Sequence, residues 1–488
     1  MDVVLITSGP RTTPYSMYRT LGAYKIAQSL RKNNYSSQVI DFVNFMTEEE
    51  FMKCCSKFIN SDTKVLALST TFLMYGSMLS INTLPPHVIN AINYFTNLYP
   101  NLKIVFGGCH SRTVTETDNI TTKYECVIEY GEDIIVDLLN FYTGKGPQPI
   151  FEFLIKPWAT YKVYKTPLVK KYKIEEDNFT FTKEDCIVQG ETLPIEISRG
   201  CIFKCKFCNH LLLGRGKLDY LRSMELVKNE LENNYKNWGV TNYFIICDTF
   251  NDTEYKMNEW YKMINSLSFK IKYTAYVRAD LLDRYPDTAH ILADTGLTSV
   301  FHGIETLNPK SAVSIGKGWS GKRAKEFIPN LYHNIWNKKI LQSLSFIIGL
   351  PHDRHEDFFE ILNWFEENDL YNLVPHGLGL YKIKNRNQSE FERNYENYGY
   401  KFLDDSRPYN WSNDYWNLQT VADLIDKNQN RIHKMSSKHG SWEIMLLAQY
   451  GFSSEQLTKE NQKNIKAWQY VIKKKEHLEK YMNLLLSL

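Results

Sequence analysis

The first 145 residues alternate between continuous apolar segments of strand length and longer segments with a helical apolar period. Strands that are buried on both faces of a sheet have nearly continuous apolar sequences. Four segments fit that pattern: VVLIT (3–7), SQVIDF (37–42), KVLALS (64–69) and KIVFGG (103–108). One helical face follows the first segment, and a second helix is expected near 88–98. That first face comprises Leu21, Tyr24, Ile26, Ala27 and Leu30. The alternation predicts a Rossmann-like, doubly wound α/β domain over residues 1–145.

From 189 to 385 the alternation resumes with a different spacing. Helical stretches are expected at 224–238, after Ser223 as the N-cap, and at 284–295, before Gly296. Six segments are expected to be strands: LPIEIS (193–198), NYFIICD (242–248), KYTAYVR (272–278), SVFHGIE (299–305), LQSLSFIIG (341–349) and GLGLYKI (377–383). Six strand–helix units predict a partial, open (β/α)6 version of the eight-unit barrel.

Two further regions lack this alternation. Residues 146–188 sustain no apolar period, and prolines that interrupt helices recur there, at Pro147, Pro149, Pro157 and Pro167. Residues 386–488 open with an aromatic-rich segment, followed by helical stretches at 418–434, 441–450 and 462–486. The aromatic side chains suit either core packing or a substrate pocket. We therefore predict a connector at 146–188 and a variable, mainly helical domain at 386–488.

Length, charge and hydropathy narrow the class of protein. With 488 residues and 43% apolar residues, the chain is long enough for roughly three domains with sizeable cores. A net charge of +3 does not by itself imply a nucleic-acid partner. The basic run at 473–475 suits the solvated face of a terminal helix. No apolar run reaches the roughly 20 residues that a bilayer requires, and no secretory signal opens the chain. A cytoplasmic protein that contacts no membrane is expected.

The loop CIFKCKFC (201–208) carries the strongest chemical signal. Cys201, Cys205 and Cys208 have C-x3-C-x2-C spacing, which brings three thiolates onto one loop that follows a predicted strand. Three thiolates suit an iron–sulfur cube with one open iron, where a reactant can bind. A Cys3His zinc site that includes His210 is the alternative, although its four ligands would all lie within ten residues. A disulfide is disfavoured because cytosolic thiols stay reduced.

In parallel α/β sheets, ligands bind beyond the carboxyl ends of the strands. In the first domain, several polar or glycine residues follow predicted strands: Ser69, Thr70, Gly107, Gly108, His110, Gly131 and Glu132. Each alone is a weak signal, since paired glycines often form turns and a lone histidine is commonly structural. In the second domain, Asp248 follows a strand and would either face a ligand or cap a helix. Arg278 would hold a carboxylate or form an ion pair with Asp280 or Asp248.

The order of these motifs resembles the cobalamin-dependent radical S-adenosylmethionine (SAM) enzymes. The cysteine loop after LPIEIS, the acidic turn ICDTFND (246–252), GIET (303–306) and IIGLP (347–351) follow one another as in that family, although Thr249 replaces a common second aspartate. The resemblance implies that Phe207, Ile348 and Gly349 border adenine. It also implies that Glu305 and Thr306 bind the amino group or ribose of SAM. His352 and Asp353 depart from the usual Gly-Glu.

The resemblance extends to the first domain. In the family a Ser/Thr loop and a Gly-Gly-x-His loop border the corrin, and a Gly-Glu segment follows. This implies a cobalamin site formed by Ser69, Thr70, Gly107, Gly108, His110, Gly131 and Glu132. The D-x-H-x-x-G signature that supplies a histidine below cobalt is missing, because SGPR (8–11) follows the first strand. Cobalamin bound here would lack that ligand, as in many members of the family.

The resemblance implies a radical mechanism. A [4Fe–4S] cluster would cleave SAM to a 5′-deoxyadenosyl radical, and methylcobalamin would methylate an unactivated carbon of the substrate. Cleavage requires a low-potential donor of the flavodoxin or ferredoxin type. Two alternatives remain: a radical SAM oxidoreductase, cyclase or epimerase without methyl transfer, and a zinc-stabilised binding protein. Asp248 and Arg278 are the candidates for catalytic residues, and the sequence does not identify the substrate.

Overall fold

The computed structural model describes most of the 488 residues. It leaves out 10–16, 74–82, 109–110, 112–123, 129–130, 157–158, 166–172, 211, 213–218, 382–387, 404–409, 436–442, 454–455, 458–460 and 462–463. Contacts divide the chain into two compact, discontinuous units. The first comprises residues 1–194, 229–240 and 466–488, and the second comprises 195–228 and 241–465. None of the helices that the model describes is long and apolar enough to cross a membrane.

The first sheet has seven strands in the order β2-β1-β3-β4-β5-β7-β6. Its strands are β1 (Val3–Ile6), β2 (Ser37–Ile40), β3 (Val65–Ser69), β4 (Lys103–Gly107), β5 (Tyr124–Ile128), β6 (Phe151–Lys156) and β7 (Ala159–Lys165). The helices between them are α1 (Leu21–Lys32), α2 (Glu48–Phe58), α3 (Thr70–Leu73), α4 (Pro86–Leu98) and α5 (Gly131–Tyr142). All strand pairs are parallel except β6 with β7. The order 2-1-3-4-5 is that of flavodoxin-like sheets, which confirms the doubly wound prediction.

The hairpin of β6 and β7 lies within 146–188, where we predicted a connector and named no strand. Its β7 strand pairs in parallel with β5 and extends the first sheet. Its β6 strand forms the sheet edge, and Phe153 and Ile155 there are 61% and 76% exposed. Neither strand shows the continuous apolar run that marked the buried strands, and β6 is an edge strand with exposed apolar residues, so both were missed.

The second sheet has six strands in sequential order. They are β8 (Thr192–Ile195), β9 (Asn242–Ile245), β10 (Lys272–Tyr276), β11 (Leu297–Glu305), β12 (Leu341–Ile348) and β13 (Leu373–Gly377), and the pairs from β9 to β13 are parallel. The helices among them are α6 (Met224–Trp238), α7 (Glu254–Asn265), α8 (Ala279–Arg284), α9 (Asp287–Asp294), α10 (Pro309–Ser314), α11 (Gly321–Asn330) and α12 (His355–Glu367). This confirms the partial, six-unit barrel.

The sixth strand lies earlier than we predicted. Strand β13 occupies Leu373–Gly377, whereas 378–381, within the predicted strand GLGLYKI, form no strand. The real strand contains Pro375, which lacks a backbone N–H and argues against a central strand. It is tolerated because β13 pairs only with β12 and therefore stands at the sheet edge.

The remaining elements follow the second sheet in sequence. They are α13 (Glu390–Arg393), β14 (Lys401–Phe402), β15 (Trp411–Ser412), α14 (Leu418–Lys427), α15 (Gln429–Met435), α16 (Glu443–Ala448) and α17 (Ala467–Ser487). The largely helical C-terminus is as predicted. Residues of α17, however, lie in the first unit, whereas we had grouped 386–488 in one domain.

The last helix completes the core of the first unit. Leu478, Tyr481 and Leu485 lie in the same buried cluster as apolar residues of the first sheet and its helices. The hydroxyl of Tyr481 accepts a hydrogen bond of 2.8 Å from the backbone N–H of Asp41, and its ring meets Phe42 edge-on at 5.0 Å. The helix is therefore held both by apolar burial and by a buried hydrogen bond to the end of β2.

A buried ionic network lies beside this contact. Arg19 and Glu191 are both fully buried, and Nε and Nη2 of Arg19 donate to the Glu191 carboxylate at 2.6 and 2.9 Å. Arg19 Nη1 also donates to Tyr24 at 2.5 Å, and the Tyr24 hydroxyl donates to Asp41 at 2.9 Å. Burial raises the pKa of Asp41 to about 6, although Arg19 opposes the rise. Such a network is costly to break because removing one partner leaves an uncompensated buried group.

Replacing Leu485 with alanine should destabilise the first unit by about 2–4 kcal/mol, because the side chain is fully buried and leaves a cavity. The adjacent Leu484 is 40% exposed and supplies a matched control, for which a change within about 0.5 kcal/mol is expected. Urea denaturation of the two full-length variants measures the difference. Equal losses of stability would mean that α17 does not pack as described.

Replacing Asp41 with asparagine should change the free energy of unfolding, relative to wild type, more favourably at high pH than at low pH. The folded-state pKa of Asp41 is raised, so the wild-type protein loses stability as the pH rises from about 4 through 6, whereas the variant has no such loss. From pH 4 to 7.5, the stability of the variant relative to wild type should rise by about 1–3 kcal/mol. Urea titrations at several pH values test this, with the exposed Asp62→Asn variant as control. A pH-independent difference would contradict the assignment.

Candidate active site

The cysteine loop follows β8 and is held in place from two sides. Its backbone turns where the N–H of Cys208 donates to the carbonyl of Cys205 at 3.0 Å. The N–H of Lys206 donates to the Ile315 carbonyl, and the Lys206 carbonyl accepts from the N–H of Phe391, each at 3.0 Å. Cys201, Cys205 and Cys208 are all free thiols of intermediate exposure. The loop therefore presents three accessible sulfur ligands on a fixed backbone.

Each sulfur has a polar neighbour that suits a thiolate. Cys201 Sγ lies 3.3 Å from the Thr249 hydroxyl, Cys205 Sγ accepts from Arg278 Nη1 at 3.5 Å, and Cys208 Sγ accepts from the His210 N–H at 3.4 Å. Burial, together with the neighbouring Cys205 and Cys201, raises the pKa of Cys208 to about 11, and the hydrogen bond from the His210 N–H opposes the rise. Cluster ligands are thiolates, so the donor set and its hydrogen bonds fit a thiolate-ligated iron–sulfur group. Within the described residues, no three His, Cys, Asp or Glu side chains converge as the ligands of a single metal ion would, whereas the three thiolates of a cube bind separate irons.

Asp248 lies beside the cysteine loop and does not cap a helix. The helix that follows, α7, is capped by Thr253, whose hydroxyl accepts from the N–H of Lys256. The Asp248 carboxylate instead accepts from the Gly200 N–H at 3.0 Å and lies 3.2 Å from His210 Nδ1. His210, the fourth ligand of the zinc alternative, therefore has its Nδ1 directed at this carboxylate.

A buried lysine that the sequence analysis missed supports the first cysteine. Lys256 is fully buried and donates to Ser198 Oγ at 2.9 Å and to the Thr249 carbonyl at 3.0 Å. Its ammonium also pairs with Asp252 at 3.3 Å. Thr249, which replaces the family's second aspartate, thus connects Cys201 to this buried pair. Only the helical position of Lys256, four residues after Asp252, could have indicated the contact.

Arg278 forms the ion pair that was one of its two predicted roles. Its Nε and Nη2 donate to the two oxygens of Asp280 at 3.0 and 2.5 Å. Its guanidinium also lies 4.0 Å from the centre of the Phe203 ring, a residue of the cysteine loop that the sequence analysis did not select. Arg278 therefore borders the cysteine loop, with Asp280 already on its carboxylate-binding edge.

Glu305 occupies a strained position at the end of β11. Its φ is 72°, a value that side chains rarely adopt, and the β11–β12 pairing shifts register between Gly303 and Glu305. The Glu305 carboxylate lies 3.3 Å from Lys317 Nζ, which also donates to the Gly303 carbonyl. Nothing in the apolar pattern around Lys317 marked it as a site residue. The bulge turns the Glu305 side chain towards the loop that carries Lys317.

Thr306 and the loop after β12 are joined through Asp353. Thr306 donates to Asp353 Oδ1 at 3.4 Å, Ser311 donates to the same oxygen at 2.8 Å, and the N–H of Leu350 donates to Oδ2 at 3.2 Å. Burial raises the pKa of Asp353 to about 7, while the hydrogen bond from Ser311 opposes the rise. The residue that departs from the family pattern therefore connects the two predicted SAM-binding loops.

Gly349 is required by close packing. It has a φ of 95°, and a Cβ there would lie 2.4 Å from Cη2 of Trp411. Its carbonyl accepts from the Tyr400 hydroxyl at 2.8 Å, and Ile348 before it is buried at the end of β12. Phe207, the remaining residue of the predicted adenine site, is half-buried on the cysteine loop.

The predicted cobalamin residues that the structure describes lie at the ends of adjacent strands in the first unit. Ser69 of β3 pairs with Gly107 of β4, and the Thr70 hydroxyl donates to the Gly107 carbonyl at 2.7 Å. Gly108 has a φ of 91°, and a Cβ there would lie 2.5 Å from the Thr71 hydroxyl, so contact with Thr71 already requires a glycine. Gly131 and Glu132, after β5, begin α5. His110 lies outside the described residues. The cofactor roles of all these residues stay predictions.

Known proteins resemble both the barrel and the whole fold. The Radical SAM superfamily model matches residues 195–365. The solved structure of the cobalamin-dependent SAM radical enzyme OxsB, with aqua-cobalamin and SAM bound, matches at 15% identity and a TM-score of 0.58. That match covers 91% of this chain but only 59% of the OxsB chain. The radical SAM methyltransferase TsrM from Kitasatospora setae matches at 13% identity and a TM-score of 0.65, over 95% of this chain and 98% of TsrM. No curated protein sequence matches the chain.

The superfamily match includes the strand ends that carry Asp248, Arg278 and Glu305, and it contains the cysteine loop. The matched radical SAM domain implies a [4Fe–4S] cluster and SAM as cofactors, which agrees with the three free thiols after β8. The chain therefore carries a radical SAM domain, within a fold that it shares with the cobalamin-dependent radical SAM enzymes OxsB and TsrM.

Proposed function

We propose that this radical SAM enzyme is a cobalamin-dependent methyltransferase that methylates an unactivated carbon of its substrate. The observation that carries the proposal is the set of three free thiols on one loop after β8, inside the domain that matches the superfamily. Three protein ligands leave one iron of a cube open, where the amino and carboxylate groups of SAM can bind.

The chain's own residues would hold and orient these groups. Cys201, Cys205 and Cys208 would ligate three irons, and the loop is fixed by its hydrogen bonds to Ile315 and Phe391. Glu305 would accept a hydrogen bond from the amino group or ribose of SAM. A cluster held by these cysteines would supply, when reduced, the electron for reductive cleavage of SAM. The protein contributes the binding, orientation and exclusion of water that cofactor chemistry needs.

The first sheet supports the cobalamin part of the proposal. Its parallel strands β3, β4 and β5 end beside one another, and Thr70, Gly107 and Gly131 lie at those ends. This is the edge of a doubly wound sheet at which ligands bind. Methylcobalamin bound there would supply the methyl group. The solved structures of both OxsB and TsrM hold cobalamin, and TsrM is a methyltransferase.

One observation favours a second candidate, a radical SAM oxidoreductase, cyclase or epimerase without methyl transfer. The glycine at 108 is explained by its contact with Thr71, so its presence does not require a corrin. An empty first unit would leave the radical chemistry of the second unit intact. In either case the low reduction potential of the cluster calls for an electron donor of the flavodoxin or ferredoxin type.

Anaerobic purification and reconstitution separate these candidates. The proposal expects brown protein with about four irons per chain, corrin absorbance after incubation with hydroxocobalamin and desalting, and methylated product when a substrate is found. Iron without retained corrin would replace the methyltransferase with the second candidate. Stoichiometric zinc without iron would instead indicate a zinc-stabilised binding protein and eliminate both enzymes.

Replacing Cys205 with alanine should abolish cluster assembly and 5′-deoxyadenosine formation, because the cube loses one of its three protein ligands. The loop is partly exposed, so the variant should remain folded. Iron analysis and chromatography of the nucleoside products measure the effect. Cys186→Ala is the matched control, since this free cysteine lies in the first unit, and it should retain iron. Unchanged 5′-deoxyadenosine from the Cys205 variant would refute the assignment.

Replacing His110 with alanine should weaken cobalamin retention at least fivefold and leave the iron content unchanged. The resemblance places this histidine in the loop that borders the corrin. Equilibrium dialysis with hydroxocobalamin gives the affinity, and His290→Ala, an exposed histidine of α9, is the control. Equal affinities of the two variants would remove His110 from the site.

A further inference from the structure

Arg278 is fixed by its backbone at the carboxyl end of β10. Its N–H donates to Asn251 Oδ1 at 2.8 Å, and its carbonyl accepts from Asn251 Nδ2 at 3.0 Å. Asn251 belongs to the loop that follows β9, so the two neighbouring strand ends are joined by a reciprocal pair of hydrogen bonds. The backbone of Arg278 therefore has a defined position beside the cysteine loop.

The guanidinium is fixed as firmly as the backbone. Its Nε and Nη2 are held by Asp280, Nη2 also donates to the Lys317 carbonyl at 3.4 Å, and its face stacks on Phe203. The Arg278 and Asp280 side chains are only 12% and 14% exposed, so water screens this pair weakly. These contacts leave Nη1 as the edge that faces the thiols, at 3.5 Å from Cys205 Sγ.

This arrangement does not suit a carboxylate of SAM. Arginine binds a carboxylate most strongly through two parallel N–H groups. In Arg278 the Nε and Nη2 groups are already bound to Asp280. A second carboxylate would have to compete with a fixed neighbour only two residues away. The remaining nitrogen, Nη1, donates instead to the sulfur atom of Cys205.

We propose that Arg278 is a positioning residue for the iron–sulfur cluster, which orients the Cys205 ligand and sets the reduction potential through an N–H···S hydrogen bond. The inference rests on the cluster of the proposed function. Hydrogen bonds to the sulfurs and nearby charge are among the factors that set the potential of such clusters. Arg278 favours the reduced, more negative cluster, and Asp280 offsets part of its charge. Together they hold the potential within the range where an external donor can still reduce the cluster.

The two members of the pair should have opposite effects. Arg278→Gln removes the cation and leaves Asp280 unpaired, so reduction of the cluster should become at least tenfold less favourable, a shift of about −59 mV for one electron. Asp280→Asn leaves an uncompensated guanidinium beside Cys205 and should shift the potential upwards. Arg278→Lys keeps the charge but not the planar fork, so its potential should lie between those of wild type and Arg278→Gln.

The experiment is a redox titration of reconstituted protein, monitored by electron paramagnetic resonance in the absence of SAM. Iron and sulfide content are measured first for every variant. Arg323→Gln is the matched control, because Arg323 forms the same kind of bidentate pair with Asp283, is 55% exposed and contacts no thiol among the described residues. Its potential should equal that of wild type.

The outcomes separate this inference from the function on which it rests. Wild-type protein without iron would overturn both. Wild-type protein with a cluster, and equal potentials in Arg278→Gln, Asp280→Asn and Arg323→Gln, would overturn the inference and leave the proposed function standing. If Arg278→Gln assembles no cluster, the other two variants still test the proposal. A higher potential in Asp280→Asn and a moderately lower potential in Arg278→Lys support it, and unchanged potentials refute it.

Discussion

Parallel strand pairing is the constraint on which the candidate site depends. Strands β9 to β13 run in one direction, so the loops that leave their carboxyl ends meet at one edge of the sheet. Asp248, Arg278, Glu305 and Gly349 follow or end four consecutive strands, and the cysteine loop follows β8. Residues up to 148 positions apart, from Cys201 to Gly349, are thereby gathered without any local sequence relation between them.

The charges at this edge are held in pairs. Arg278 lies against Asp280, Lys317 against Glu305, and Lys256 against Asp252. Partly or fully buried charges are costly unless they are paired and hydrogen-bonded, so each pair lowers the cost of placing charge near the thiols. The pairs also fix side-chain geometry: Lys317 and Glu305 join two separate loops, whereas the other two pairs lock side chains within one turn. A site prepared in this way needs little rearrangement when charged cofactors bind.

The sequence predicted the fold and the cysteine loop well because both depend on local patterns. Apolar runs of strand length identified the buried strands, and cysteine spacing predicted the candidate ligands, which the structure shows as free thiols on one loop. The pattern failed at Pro375 in the edge strand β13 and in the β6–β7 hairpin, of which β6 forms the edge of the first sheet. It also could not find Lys317 or Phe203, because their roles arise only from contacts between loops. Asp248 was ambiguous until Thr253 proved to be the helix cap.

The place of α17 in the first unit bears on how the protein is made. Asp41 and Tyr481 are 440 residues apart, yet they share a buried hydrogen bond. During synthesis, chain segments emerge from the ribosome in order and usually begin to fold as they appear. The apolar surface around the end of β2 must therefore wait until the 440 residues between Asp41 and Tyr481 have been translated before α17 can cover it. Such a long interval favours chaperone protection of the nascent N-terminal sheet.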